Sequence, residues 1–85
     1  MEVETTKEFL KKYGRLPEQI KKKAKKAVGF IQTNMSHPGL GAKRMGNSEV
    51  WEFRVDLHYR MRGREMEGKM VLEVVGMHDE GLGKK

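Results

Sequence analysis

Four arginines stand close together in the second half of this 85-residue chain: Arg54, Arg60, Arg62 and Arg64. The last three alternate with Tyr59, Met61 and Gly63, and Arg54 belongs to the alternating stretch Trp51-Glu52-Phe53-Arg54-Val55. Arginine presents a planar fork of donors that binds phosphate oxygens two at a time. His78 follows shortly after, and an imidazole moves protons near neutral pH. Period-two alternation allows Arg54, Arg60 and His78 to meet on one exposed, concave sheet face, with Lys43 and Arg44 joining from a preceding loop. Such a cluster suits a phosphodiester. RNA brings its own nucleophile, the 2′-hydroxyl, so cleaving it without metal needs only a proton acceptor, a proton donor and cations around the phosphorane. The same residues also suit ordinary cross-strand ion pairs, such as Arg54 with Glu52 or Glu73.

Other chemistries find less support. His37, His58 and His78 share no ligand spacing, and with no cysteine a metal site is not expected. Gly39-Leu40-Gly41 lacks the strand-to-helix context of a nucleotide fingerprint. No serine sits in a nucleophile elbow. No cofactor is implied.

The elements that must position these groups are readable from periodicity. Glu2-Val3-Glu4-Thr5 alternates weakly, as a short strand would. Thr5-x-x-Glu8 reads as a capping box opening a helix over about 5–13, with Phe9, Leu10 and Tyr13 on one side and Gly14 ending it in the left-handed conformation. Pro17 suits the first turn of a second helix over about 17–34. There Ile20, Ala24, Ala27, Val28 and Ile31 form one apolar stripe, and lysines fill the rest of the circumference. Residues 36–48 are rich in turn formers and read as a loop with a short ordered centre. Strands follow at about 49–57, 59–65 and 69–77. Trp51, Phe53, Val55 and Leu57 share the core face of the first. Met70, Leu72, Val74, Gly76 and His78 share one face of the third. Met70 to Val75 is apolar on both faces, which suits the interior of a sheet. The expected architecture is one α+β domain over 1–85, a helical hairpin packed on a curved antiparallel sheet of three to four strands.

Charge and composition bound the rest. The chain holds 18 Lys or Arg against 12 Asp or Glu, a net charge of +6. Residues 1–30 contribute nine basic and four acidic residues, so the excess lies on the helices. A basic half favours a polyanion or an acidic protein as partner, although lysines also simply solvate a helix face. With 36% hydrophobic residues the core is small, and a marginally stable domain or one completed by a partner is expected. No apolar run is long enough to span a membrane, no signal peptide is visible, and a cytoplasmic location is expected.

The order of motifs adds a resemblance. Leu16-Pro17 and the basic helix precede His37-Pro38-Gly39-Leu40, Lys43, Trp51-Glu52-Phe53-Arg54-Val55, Tyr59-Arg60 and Val75-Gly76-Met77-His78-Asp79. Over about residues 3–80 this series resembles toxins of the RelE/ParE superfamily of type II toxin–antitoxin modules. The resemblance implies a small toxin neutralised by a cognate antitoxin. RelE-like members cut mRNA in the ribosomal A site without metal, and ParE-like members poison DNA gyrase. Carried over by position, Arg54 and Arg60 would stabilise the phosphorane, and His78 or Glu52 would handle protons. Lys43, Arg44 and Arg62 would hold RNA. Leu82 and Gly83 stand where RNase members often place a tyrosine. Glu52 stands where some members have a lysine, and a carboxylate there can act as base or neutralise Arg54. The resulting expectation is a ribosome-dependent endoribonuclease (mRNA interferase), with a ParE-like gyrase toxin or an inactive RNA-binding module as the other readings.

Overall fold

Local sequence explains most of the elements in the computed structural model, which describes residues 1–77. Strand β1 (Glu2–Thr5) leads into α1 (Lys7–Gly14), and α2 (Glu18–Thr33) follows after three residues. A 3-10 turn at Pro38–Leu40 precedes β2 (Lys43–Arg44), β3 (Val50–Arg54), β4 (Tyr59–Met66) and β5 (Lys69–Met77). The strands form one sheet in the order β1-β5-β4-β3-β2.

The N-cap of α1 is Thr6, one residue later than the expected capping box. Its hydroxyl accepts from the Phe9 N–H at 3.0 Å and donates to the Leu72 carbonyl at 3.2 Å. Cap and sheet anchor are therefore one side chain. Gly14 stays helical and Arg15 caps the helix, so no left-handed glycine is used there. The apolar stripe of α2 behaves as its spacing predicts: Ile20, Ala24, Ala27 and Ile31 are buried. On α1 only Phe9 is fully buried, and Leu10 remains 55% exposed. The helices pack beside Phe53, Met61, Met70, Leu72 and Val75 of the sheet and Leu40 of the 3-10 turn. Each such side chain contributes about 1.5–3 kcal/mol by leaving water.

Three features depart from the sequence reading. The sheet has five strands, not three or four, and is mixed, because β1 runs parallel to β5. This pairing joins residues more than sixty positions apart, beyond the reach of local periodicity. It is reinforced by Lys69 Nζ donating to Glu4 at 2.8 Å, which raises the Lys69 ammonium above its ordinary value. The helices are also not an isolated hairpin. α1 lies chiefly on β5 and α2 beside β1 and the 3-10 turn, with the Tyr13 hydroxyl donating to the Lys21 carbonyl at 3.4 Å.

The third departure decides which residues share a face. Arg62 pairs with Val74 but Gly63 pairs with Leu72, so Glu73 is an extra residue bulged out of β5. Alternation therefore slips by one. Met70 and Leu72 face the core, but beyond the bulge Val75 does so, not Val74. Strand β3 likewise stops at Arg54, and Leu57 is 77% exposed in the turn. The β4–β5 turn uses Glu67 and Gly68, both at positive φ, as a two-residue hairpin requires.

Candidate nucleic-acid interface

The face of the sheet away from the helices carries the polar members of each strand. Register places Lys43 opposite Glu52, Glu52 opposite Arg62, Arg62 opposite Val74, and Arg64 opposite Val50 and Val71. Arg64 is tied to the bulged Glu73 at 3.4 Å. Arg62 is the unusual member: its Nε is buried and, among the described residues, has no hydrogen-bond partner. An unsatisfied buried donor costs about 1–3 kcal/mol, and more when charged, unless an acceptor arrives. Lys43 is exposed on the edge strand of the same face, with Glu52 standing between it and Arg62.

Arg44 does not join this face. Its guanidinium lies 5.9 Å from the Trp51 ring, on the side where Trp51 Nε1 donates to Glu65 at 3.1 Å. Adjacent strand residues point to opposite faces, so Lys43 and Arg44 separate by geometry alone.

The two arginines expected at the centre part company. Arg54 and Arg60 are directly opposed across β3 and β4. Arg60, however, is fastened to the turn that follows β3: its Nη1 donates to the carbonyls of Asp56 at 2.8 Å and Tyr59 at 3.1 Å. Arg54 is exposed and runs past the sheet edge over Gly41. Gly41 has φ of +55°, and a β-carbon there would stand 3.6 Å from the Arg54 Nε and 3.7 Å from Cζ. The positive φ is what favours glycine there, since a β-carbon would make only ordinary contact with Arg54.

Arg54 thereby lines a cleft of about 340 Å³ between α2, the 3-10 turn and the end of β3, with Lys23, Lys26, Phe30, His37 and Asp56. Asp56 binds Lys23 at 3.2 Å. It also accepts from the His58 N–H at 2.8 Å. That backbone bond is the main reason its carboxyl lies below the ordinary value; burial acts in the opposite direction, and Lys23 lowers it further. Metal spacing gives His37 no role, so the cleft is not apparent from the histidines alone. The signal available was its place before Pro38-Gly39, where a side-chain acceptor caps a turn, one helical turn beyond the end of α2. His78 lies outside the described residues, as do Leu82 and Gly83. Among the described residues no three His, Cys, Asp or Glu side chains gather as a metal site would need.

No family model matches the chain, and no curated protein matches it either. Solved structures do. The toxin–antitoxin complex DinJ–YafQ from Escherichia coli contains a chain that superposes with a TM-score of 0.77 at 14% identity, over 96% of this chain and 97% of that one. The RelB–RelE antitoxin–toxin complex from Methanococcus jannaschii gives 0.74 at 18% identity, over 89% and 91%. This is the RelE-type toxin fold. The YoeB/ParE toxin from Agrobacterium tumefaciens shares it, with a TM-score of 0.67 at 15% identity over 92% of this chain and 99% of its own. The RelE-type fold accounts for the mixed sheet that periodicity missed, since these chains match nearly end to end. At such low identity it fixes the scaffold, and chemistry must be argued from the residues that stand on it. Among the described residues no helix is long and apolar enough to cross a membrane.

Proposed function

We propose that the chain is the toxin of a type II toxin–antitoxin module, acting in the cytoplasm as a metal-independent endoribonuclease on translated mRNA. The observation that carries this reading is the Nε of Arg62, buried and without a hydrogen-bond partner among the described residues, on an open sheet face that also carries the exposed Lys43. An incoming phosphate supplies the missing acceptor. The fold supports the toxin half of the reading, because chains of this shape occur in antitoxin–toxin complexes. A cognate antitoxin is accordingly the proposed protein partner.

In the proposed reaction a base, Glu52 or His78, takes the 2′-hydroxyl proton. The O2′ attacks phosphorus, and the 5′-oxygen leaves with a proton from the acid, giving a 2′,3′-cyclic phosphate. Arg54 stabilises the doubly charged phosphorane, and Arg60 holds the turn from which β4 begins. Leu82 and Gly83, in place of a tyrosine, favour a second reading in which the same fold inhibits DNA gyrase without catalysis.

Induction of the protein in cells, followed by mapping of mRNA 5′ ends and of plasmid supercoiling, separates the two. New mRNA ends with normal supercoiling support the nuclease. Lost supercoiling with intact mRNA supports the gyrase reading. An Arg54→Ala/His78→Ala variant that stays folded should relieve growth arrest; equal toxicity would refute the assignment of both residues.

A further inference from the structure

A second cavity, of about 450 Å³, opens where the link between α1 and α2 meets the start of β4 and the end of β5. Small-molecule sites occupy about 300–1,000 Å³ and are mostly apolar, with a few placed polar groups. This cavity has that make-up. Leu16, Pro17, Val75 and Met77 form apolar walls, and Lys12 and Arg15 supply the charge. Among the described residues no carboxylate lines it. Lys12 lies in the last turn of α1, and Arg15, the C-cap, keeps helical angles. Three positions apart, the two side chains rise from one side of the helix. Glu8 approaches Lys12 only at 3.8 Å, in a surface pairing that water screens. Among the described residues Arg15 is in no ion pair. Tyr59 completes the lining, half-buried. Its carbonyl accepts from the N–H groups of Val55 at 3.0 Å and Asp56 at 3.2 Å and from Arg60 Nη1 at 3.1 Å, which fixes this wall. The Tyr13 hydroxyl is committed to the Lys21 carbonyl, whereas that of Tyr59 has no hydrogen-bond partner among the described residues.

We propose that this cavity binds a free mononucleotide, its phosphate between Lys12 and Arg15 and its base against the apolar walls, hydrogen-bonded to the Tyr59 hydroxyl. A phosphate monoester carries close to two negative charges at neutral pH, which matches two cations as a single carboxylate does not. Arg15 offers the planar fork that grips two phosphate oxygens at once. An aromatic base suits walls of this kind, and it brings the polar edge that the Tyr59 hydroxyl needs, which an aliphatic anion lacks. The site lies apart from the arginines of the open sheet face and from the cleft beside Arg54, with which it shares no lining residue. It therefore goes beyond the nuclease reading and does not rest on it.

The test titrates the full-length protein with AMP, GMP, CMP and UMP, with the matching nucleosides and with inorganic phosphate, followed by backbone amide NMR shifts. At least one nucleotide should bind with a Kd below about 1 mM, and its nucleoside and inorganic phosphate about tenfold more weakly. The shifted amides should be those of Arg15, Leu16, Val75, Gly76 and Met77. Arg15→Gln and Lys12→Gln should each weaken binding about three- to tenfold, whereas Lys25→Gln, an equal change in net charge, should leave it near wild type. Tyr59→Phe keeps the ring and should weaken binding severalfold without unfolding the domain. Thermal melts of each variant without ligand show that the fold is kept. No binding by any of the nucleotides, or shifts gathered instead around Lys26 and His37, would overturn the site. Inorganic phosphate as tight as the nucleotide would overturn the ligand class. Equal effects of Arg15→Gln and Lys25→Gln would overturn the grip on phosphate, and wild-type affinity of Tyr59→Phe the bond to the base.

Discussion

Arg60 sits directly opposite Arg54 across β3 and β4, yet its Nη1 donates to the Asp56 carbonyl at 2.8 Å, closing the turn that joins the two strands. Two like charges at opposed positions are thereby drawn apart, one into the turn and one over Gly41. Arg60→Ala should cost about 1.5–3 kcal/mol of stability, the range for hydrogen bonds from a charged group. Urea unfolding followed by the fluorescence of the single tryptophan, Trp51, measures it. Arg60→Lys should recover part of the loss, because one ammonium reaches fewer of these carbonyls in that geometry.

Asp56 gives the same turn a pH dependence. Its folded-state carboxyl lies below the ordinary value of 3.8, first through the His58 N–H. A depressed carboxylate contributes stability that is present above the unfolded value and is lost as pH falls through the folded one. The stability gap between wild type and Asp56→Asn should be constant from about pH 5 to 8 and should close below about pH 4. A gap that does not shrink at all as pH falls below the ordinary carboxylate range would mean that the charge of Asp56 is not what holds the turn.

Glu52 stands between Lys43 and Arg62 in register, and among the described residues it makes no ion pair. Glu52→Gln should tighten RNA binding about two- to fivefold, the scale of one surface charge worth up to about 1 kcal/mol. If Glu52 is the base, the same variant binds RNA more tightly and cuts it far more slowly. Binding and single-turnover cleavage measured on one preparation show whether the two effects separate.

Thr6 and Thr5 are neighbours with different duties. Thr6→Ala removes both the cap on Phe9 and the bond to Leu72, and should cost about 1–2 kcal/mol. Thr5→Ala, at an exposed position, should stay within about 0.5 kcal/mol of wild type. Thermal melts of the two variants decide where the helix begins.

Gly63 marks the slip in register. A β-carbon there would stand 3.0 Å from the Val71 carbonyl oxygen and from Leu72 Cδ2. The oxygen belongs to the paired strand and cannot step aside, so Gly63→Ala should destabilise by about 1–3 kcal/mol. Gly14→Ala meets nothing within 4 Å and should be neutral or stabilising by up to about 1 kcal/mol. Parallel urea titrations of the pair test both.

The chain's own pattern was enough to place two helices, four of the strands, the short first one included, and the class of the fold. The stripe from Ile20 to Ile31 and the alternation at Trp51 and Phe53 are local signals, because a helix or strand buries whichever side its own spacing makes apolar. The β4–β5 turn at Glu67-Gly68 and the interior position of β5, apolar on both faces, are legible in the same way. Thr5, Gly14 and Leu57 depart from expectation. All three lie at element ends, where the choice between adjacent residues depends on what lies across the sheet. The pairing of β1 with β5 and of Lys43–Arg44 with β3 required the folded chain, since partners distant in sequence leave no period to read. The Glu73 bulge had the largest effect on the site. A one-residue slip exchanges the two faces of a strand, so it turns Val74 from the core, brings Val75 to it and changes the company each arginine keeps. Sequence alone singled out the arginines and suggested a phosphodiester as the group such a cluster would suit. Tertiary structure divided them, fastening Arg60 to a turn and laying Arg54 against Gly41. Side-chain destinations follow from register and from the carbonyls and loops that the folded chain brings alongside, and neither is written in composition or spacing.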